Sequence, residues 1–297
     1  MIYSDRRSGF LYLLPFLVGL LVFTLFPFMA SLLLSFSDYQ LQDPVRDIGF
    51  VGLGNYTSLP ADPTFRQSVW VTLLYVLITV PLKLAFALLI AFVLNFRLRA
   101  IAAFRTAYYL PSILGGSVAI AVLWRYVFAN DGLINQGLAG FGVAGINWLG
   151  EPGYAMATIV LLRLWQFGSA MVIFLAGLKA IPADLYEAAR LDGASPWRMF
   201  RHITLPLLTP IIFFNFIMQM VQAFQEFNGP YVITGGGPLK STYLLPMMIY
   251  DQSFKYFDVG YASAISWVLF AIIAILTAVA FRSSKYWVFY GDERGKP

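Results

Sequence analysis

The residues of this sequence that could bind a ligand are polar side chains within apolar runs. One run, about residues 207–226, carries polar side chains three or four residues apart on one helical face: Asn215, Gln219, Gln222 and Glu226. Buried amides in hydrocarbon need hydrogen-bond partners, and a hydroxyl-rich sugar supplies both donors and acceptors. The same amides could instead join neighbouring helices. The pattern favours a substrate path and helix contact equally.

Basic and aromatic side chains in other apolar runs extend this candidate path. Arg163 lies inside the run 154–178, where an arginine is functional by default, and it could pair with Glu226 or bind an anionic sugar. Trp165 has an aromatic face suited to stacking on a sugar ring, although a lone tryptophan more often packs in a core. Lys83 either faces a cavity or extends its amine along an apolar stem toward water.

Several kinds of covalent and metal chemistry lack the residues they need. The sequence has no cysteine and a single histidine, His202, so thiol catalysis, disulfides and a histidine-rich metal site find no support. The serine-containing segments lack a partnered base, and no paired-carboxylate motif occurs. We therefore predict no catalytic residue, no metal site and no cofactor held by this chain, and we do not expect it to be an enzyme.

Composition indicates an integral membrane protein. The chain is 59% hydrophobic and only 12% charged, with a mean hydropathy of +0.72, whereas soluble domains carry roughly 25% charged residues. Its net charge of +5 reflects basic loops on the cytoplasmic side of a membrane rather than nucleic-acid binding. The expected surroundings are membrane lipid, and no nucleic-acid partner is expected.

Apolar stretches of the length that a membrane-spanning helix needs, about 20 residues, occur six times. They cover about 10–34, 69–96, 107–128, 154–178, 207–226 and 262–281. The second is expected to break near Pro81, because proline interrupts helical hydrogen bonding. The stretches predict an all-α, polytopic membrane protein that forms a single transmembrane domain over residues 1–297.

The distribution of lysine and arginine predicts the orientation of these spans. With the N-terminus inside, the inside segments carry 13 of these residues and the outside loops carry 4. Cytoplasmic loops of membrane proteins carry the excess of positive charge. Both termini are therefore predicted to be cytoplasmic, and so is the polar segment 181–206 between the fourth and fifth spans.

The polar segment 181–206 is predicted to form two short helices separated by a break. Gly193 lies where glycine commonly ends a helix. Ser195 and Pro196 supply an N-cap and a proline at the first position of the next helix. Pro206 then bends the entry into the fifth span.

The same segment carries a spaced sequence pattern. Glu-Ala-Ala at 187–189 is followed by Gly193 and then by Ile-Thr-Leu-Pro at 203–206. This pattern resembles the EAA loop of permease subunits in bacterial ABC importers, and the alternative is an ordinary surface helix-turn-helix. The resemblance implies a cytoplasmic loop that docks into a groove on an ATP-hydrolysing subunit. The residues assigned to this coupling are Glu187, Ala188, Ala189, Arg190, Asp192 and Gly193.

Further motifs extend the resemblance over nearly the whole chain. They are VGLGNYTSL from Val51, FRTAYYLPSI from Phe104, GLINQGL from Gly132, INWLG from Ile146 and TGGGPLKST from Thr234. In this order and spacing they are similar to the carbohydrate-uptake branch, which includes the maltose and glycerol-phosphate importer permeases. The resemblance implies the six-span form of the type I ABC importer permease fold. Within this branch, the resemblance includes importers of alginate or another acidic oligosaccharide, which is one candidate identification of the system this chain belongs to.

The resemblance also implies partners. The chain would be one permease subunit that moves a saccharide into the cytoplasm, beside a second homologous permease and an extracytoplasmic solute-binding protein. Two ATP-binding subunits would hold ATP and Mg²⁺ and would drive transport. The alternative from a different class is an ion-coupled secondary transporter or channel. It would use Lys83, Arg163 and Glu226 for ion coupling and would need no ATPase.

Overall fold

The computed structural model describes residues 6–44, 48–96 and 100–289, and within these ranges the chain is mostly helical. Its β pairing there is limited to two isolated bridges, Ser37 with Phe50 and Gln40 with Asp258. The prediction of an all-α chain is confirmed for these ranges. The described residues form two compact units. One comprises those up to Arg66 with Met248–Ala271, and the other comprises those from Gln67 to Met247 and from Ile272 to Phe289.

The first unit is built from the N-terminal helices and the beginning of the C-terminal helix. Its elements are α1 (Arg6–Leu20), a π-helical turn (Leu21–Leu25), α2 (Phe26–Leu34), α3 (Gly54–Ser58), most of α14 (Leu245–Phe254) and the start of α15 (Val259–Trp287). Aromatic packing joins α2 to α15, with the rings of Phe28 and Trp267 centred 4.6 Å apart. The Trp267 indole N–H also donates to Ser31 Oγ at 3.2 Å. An aromatic side chain thus supplies both the apolar contact and the polar anchor.

The second unit holds the remaining helices, and it contains every residue assigned above to coupling or to the substrate path. Its elements are α4 (Pro63–Val93, from Gln67 onward), α5 (Ile101–Leu114), α6 (Val118–Val127), α7 (Leu133–Gly140), α8 (Pro152–Trp165), α9 (Gly168–Ala180), α10 (Ala183–Leu191), α11 (Pro196–Met199), α12 (Leu205–Phe224), α13 (Asn228–Ile233) and the end of α15. The helices α9 and α12 approach closely at Gly177, where a Cβ atom would meet the side chains of Ile211 and Leu208.

The expected break near Pro81 is wrong, because α4 continues through this proline as one helix from Pro63 to Val93. Helices in a membrane tolerate proline, since neighbouring helices and small local adjustments satisfy the backbone groups that it frees. Lys83 therefore lies on the same rigid element as Thr72, whose side-chain oxygen accepts a hydrogen bond from Leu245 N–H at 2.9 Å.

Two other prolines are preceded by a widened turn. The π-helical turn Leu21–Leu25 comes just before Pro27, and a second one, Phe200–Thr204, comes just before Pro206. A proline ring collides with the carbonyl four residues earlier, and a π-helical turn gives that carbonyl room. The predicted bend at Pro206 thus takes the form of a widened turn, and α11 runs through it into α12 instead of standing as a separate short helix.

The third and fourth predicted spans are each a bent pair of helices. The chain turns by 104° between α5 and α6 and by 44° between α8 and α9. The first bend falls at Gly115 and Gly116, and Ser117 then caps α6 by accepting a hydrogen bond from Ala119 N–H at 3.2 Å. A hydropathy pattern does not reveal such a bend, because these small residues interrupt no apolar run.

The two bends are hydrogen-bonded to each other. Gln166 Nε2, at the second bend, donates to the Gly115 carbonyl at 3.0 Å, and the Gln166 carbonyl accepts from Ser112 Oγ at 3.1 Å. Ser112 Oγ in turn accepts from Ser169 N–H at 3.0 Å. Broken helices can persist in a membrane only where such partners satisfy the freed backbone groups.

Within the described ranges, the chain has four helices long and apolar enough to cross a membrane, and up to six crossings if each bent pair counts as one.

Candidate functional site

The segment 181–206 forms a helical hairpin whose first arm is α10. This arm ends in a Schellman motif, in which Ala194 N–H donates to the Ala189 carbonyl at 2.9 Å and Gly193 N–H donates to the Arg190 carbonyl at 3.0 Å. Gly193 has φ +73°, a left-handed conformation that glycine adopts without a steric penalty. Glycine is therefore required here by the backbone, and it fixes the angle between the two arms.

The second arm begins at Ser195 and leads directly into α12. The Ser195 side chain accepts a hydrogen bond from Arg198 N–H at 3.3 Å, as an N-cap does. A hydrogen bond of 2.8 Å between the Tyr186 hydroxyl and Thr204 Oγ1 then ties the first arm to the beginning of α12. Thr204 is buried. The hairpin is thus braced against the long helix that follows it.

The outer surface of the hairpin combines small, charged and large apolar side chains. Glu187 and Ala188 are exposed, while Ala189 lies one position further round the helix and is partly covered. Leu191 is 89% exposed and Trp197 is 69% exposed. Large apolar side chains so fully exposed next to a surface of small residues are typical of a docking surface.

The charged residues of the hairpin have no partner within the described part of the chain. Glu187, Arg190 and Asp192 are exposed, and none of them makes a side-chain hydrogen bond or an ion pair with a described residue. Their charges are therefore available to another molecule. The structure brings all six predicted coupling residues together on this one hairpin.

The predicted polar face of α12 is mostly buried. Asn215 is 0% exposed, and Gln219 and Glu226 are also buried, whereas Gln222 is exposed. Neither polar atom of the Asn215 side chain has a hydrogen-bond partner among the described residues. Glu226 lies just beyond the end of α12, in the short segment that leads to α13.

The structure brings Arg163 and Glu226 together as an ion pair. Each partner has a further hydrogen bond: Arg163 Nη1 donates to Gln166 Oε1 at 3.1 Å, and Glu226 Oε1 accepts from Gly229 N–H at 3.1 Å. The pair therefore connects the end of α8 to the start of α13. Satisfied in this way, both charges can be accommodated away from water.

Lys83 lies beside this ion pair, in a small cavity. The cavity has room for about one water molecule. The polar side chains that line it are Thr79, Lys83, Arg163, Gln219 and Gln222. Lys83 is only 4% exposed. Residues from α4, α8 and α12 thus meet here, which brings together four of the predicted substrate-path residues.

Trp165 lies apart from this cavity. Its ring faces that of Trp124, with the centroids 5.6 Å apart, and both line a larger apolar cavity with Phe86, Tyr108 and Phe167. The structure therefore does not bring Trp165 together with the polar cluster around Lys83.

Sequence reasoning missed the residues that hold the two bends. Gln166 and Ser112 connect the bends to each other, and Gln166 also positions Arg163. The glycine pair at 115–116 was the available signal, because adjacent glycines mark a turn. The partner of that turn could not be identified, since Gln166 is about 50 residues away in the sequence.

Comparisons with known proteins agree over most of the chain. Residues 64–288 match the family described as the binding-protein-dependent transport system inner membrane component. The chain is 46% identical over 291 residues to the probable ABC transporter permease protein YesP of Bacillus subtilis, covering 97% of this chain and 93% of that protein. It is 33% identical over 285 residues to the lactose transport system permease protein LacF of Rhizobium radiobacter, covering 94% of each.

A solved structure shares the fold. It is the crystal structure of a bacterial ABC transporter involved in the import of the acidic polysaccharide alginate, which matches with a TM-score of 0.81 over 94% of this chain and 96% of that chain, at 22% identity. A likeness at this identity supports the architecture of bent and continuous helices described above. By its family match and its end-to-end relatives, this chain belongs to the family of inner membrane components of binding-protein-dependent transport systems.

Proposed function

We propose that this chain is the transmembrane permease subunit of an ABC importer that moves a saccharide into the cytoplasm, driven by ATP hydrolysis in partner subunits. The saccharide is supported by the lactose transport permease among the relatives. The prediction of alginate stays a prediction, because the solved alginate transporter, at 22% identity, supports only the fold. The family gives no support to the alternative, an ion-coupled secondary transporter or channel.

The proposal includes a topology of six crossings within one permease domain. Each bent helix pair would cross the membrane once, together with the four continuous helices. The excess of lysine and arginine on one side supports cytoplasmic termini and a cytoplasmic hairpin. In this orientation the hairpin faces the compartment that holds ATP.

The observation that carries the proposal is the exposed hairpin. It is held internally by the Schellman motif at Gly193 and by the hydrogen bond between Tyr186 and Thr204, yet its outer charges have no described partner. A rigid projection of this kind suits docking into a groove on an ATP-binding subunit. Glu187, Arg190 and Asp192 would supply charge, and Ala188 would allow close approach.

The same hairpin offers a mechanical route to the candidate substrate path. From Pro196 to Phe224 the chain is helical without interruption, a length of roughly 40 Å at 1.5 Å per residue. The near end carries the hairpin, and the far end carries Gln219 and Gln222. A displacement of the hairpin by the ATP-binding subunits would therefore move one wall of the polar cavity.

This coupling requires that the partners bind one state of the permease better than the other. The full assembly would contain this chain, a second related permease, two ATP-binding subunits and an extracytoplasmic solute-binding protein. ATP and Mg²⁺ would be bound by the ATP-binding subunits, and this chain would hold no cofactor and would catalyse no reaction itself.

The test is the composition of the native complex. The tagged chain, purified from its own membrane in mild detergent, is expected to retain ATP-binding subunits and a second permease, identified by mass spectrometry. Glu187→Arg should lose the ATP-binding subunits by at least about tenfold, since it reverses a charge at the docking surface. The matched control is Glu151→Arg, an exposed glutamate before α8 on the side predicted to be extracytoplasmic. A wild-type chain that purifies without any ATP-binding subunit would overturn the proposal.

A further inference from the structure

Lys83 is a buried amine without a partner in the described part of the chain. Its side chain is 4% exposed. It makes no hydrogen bond and no ion pair with any described residue. A lysine in a membrane-spanning helix can usually reach water along its flexible stem. This one does not, because α4 continues for ten further residues beyond it, about 15 Å at 1.5 Å per residue.

The neighbouring charges do not offset Lys83. Arg163 and Glu226 form an ion pair, so their charges cancel each other. Both are further engaged, Arg163 with Gln166 and Glu226 with Gly229. Among the described residues around the cavity, a protonated Lys83 would therefore carry an uncompensated positive charge. Leaving such a charge buried is costly, and ionisable residues held inside membrane proteins commonly serve ligands or ions.

The other polar groups around the cavity can also donate hydrogen bonds to an anion. Lys83 offers three N–H donors, and the amides of Gln219 and Gln222 and the hydroxyl of Thr79 can all donate. A carboxylate accepts hydrogen bonds only, and charge-assisted bonds to it are the strong ones. The cavity is small, but Gln222 at its edge is exposed. Because the cavity has room for about one water molecule, one carboxylate oxygen would enter it while the rest of the saccharide stays outside the edge.

We propose that Lys83 binds a carboxylate carried by the transported saccharide, so that the importer takes up uronate-bearing oligosaccharides in preference to neutral ones. This inference rests on the proposed function. Arg163 and Glu226 hold the cavity together and remain paired with each other. The amide of buried Gln219 faces the carboxylate, and the exposed amide of Gln222 at the edge contacts sugar hydroxyls.

The experiment uses the complete importer with its binding protein, reconstituted in lipid vesicles. The probe is a partial acid hydrolysate of plant cell-wall polysaccharide, which contains uronate-bearing and neutral oligosaccharides. A second portion of the same hydrolysate has its carboxyl groups reduced to alcohols. Uptake after ATP addition is measured by mass spectrometry of the vesicle contents. The variants are Lys83→Met, Lys83→Arg and the control Lys285→Met, which removes an exposed lysine near the end of α15.

The expected result is accumulation of uronate-bearing oligosaccharides, lost after carboxyl reduction. Lys83→Met should lower this uptake by at least about tenfold, Lys83→Arg should retain a substantial fraction, and Lys285→Met should match the wild type. Thermal unfolding of the complex supplies a second measurement. Lys83→Met should unfold at the same or a higher temperature than the wild type, because it replaces a buried, uncompensated charge by an apolar side chain of similar length.

The opposite results separate the inference from the proposed function. Uptake of neutral oligosaccharides alone would overturn the role of Lys83 and leave the saccharide importer standing. Uronate uptake that survives in Lys83→Met would do the same. If Lys83→Met unfolds at a lower temperature or releases the second permease, the carboxylate that pairs with Lys83 belongs to that subunit and the inference is wrong. No uptake of any oligosaccharide by the wild type would overturn the role of Lys83, whereas the proposed function fails only if the purified complex also lacks ATP-binding subunits.

Discussion

At the scale of single residues, Arg163 and Glu226 are held by more than their mutual attraction. Arg163 also donates to Gln166, and Glu226 also accepts from Gly229 N–H. A buried ion pair gains little over a well-packed apolar pair, yet removing one partner leaves the other charge buried and uncompensated. The two side chains should therefore behave as a unit.

A double-mutant cycle tests this unit. Arg163→Met alone should lower the free energy of unfolding by about 3–5 kcal/mol, because Glu226 loses its cation. Adding Glu226→Gln should recover much of that loss, which a cycle reports as an interaction energy. The measurement is the thermal unfolding of the purified complex.

The control for this cycle is the ion pair between Lys255 and Asp251, where Lys255 is about half exposed. Lys255→Met should cost less than about 1 kcal/mol, as exposed pairs do. Two results together would contradict this description of the buried pair. Arg163→Met and Lys255→Met would lower the free energy of unfolding equally, and adding Glu226→Gln to Arg163→Met would recover none of the loss.

The sequence alone predicted the positions of some of these residues but not their partners. Spacing placed Asn215, Gln219 and Glu226 on one helical face, and these three are buried. It left open whether Arg163 pairs with Glu226, because no pattern along one helix shows which helix it will face. Lys83 was ambiguous for the same reason, and its isolation became visible only once α4, α8 and α12 were placed together.

At the scale of helices, the two bends in the second unit depend on a close approach. A Cβ atom added at Gly115 would collide with the side chain of Gln166, while one added at Gly116 meets nothing within 4 Å. Gln166 is the residue that donates to the Gly115 carbonyl and accepts from Arg163. The adjacent glycines therefore have different roles, and only the first requires glycine for space.

This difference predicts unequal effects of the same substitution. Gly115→Ala should push Gln166 aside, break its hydrogen bonds and cost about 1–3 kcal/mol of stability, the usual cost of leaving buried polar groups unpaired. Gly116→Ala is the matched control and should have a much smaller effect. Thermal unfolding and amide hydrogen exchange at residues 112–117 measure both. Equal exchange rates in the two variants would show that the approach of Gln166 does not hold the bend.

Helix positions were largely predictable, and bends were not. Apolar stretches located each of the long helices, and Gly193 and Ser195 end and begin the arms of the hairpin as their types suggest. Pro81 was misleading because α4 absorbs it without a break. The bend at Gly115 escaped notice because it lies inside an apolar run, where hydropathy carries no information about direction.

At the scale of the whole molecule, one long helix links an exposed hairpin to a buried polar cavity. The hairpin, α12 and the residues around Lys83 all belong to the second compact unit. Composition and charge distribution predicted a membrane protein with its polar loop inside. The function class was inferred from the spaced sequence pattern at 187–206, and composition alone does not indicate it.

The most direct test of coupling through the hairpin is to identify the molecule that contacts it. The chain has no cysteine, so Ala188→Cys creates a single attachment point on the exposed face of α10. The variant is labelled with a thiol-directed photocrosslinker in native membranes, and the products are identified by mass spectrometry. Ala139→Cys, exposed on α7 and predicted to lie on the other side of the membrane, is the control.

Ala188→Cys is expected to crosslink to an ATP-binding subunit, and Ala139→Cys is not. The yield from Ala188→Cys should fall by at least about tenfold when Glu187→Arg is added, because that change disrupts the same docking surface. An active importer in which Ala188→Cys captures no ATP-binding subunit would show that this hairpin does not couple the permease to its source of energy.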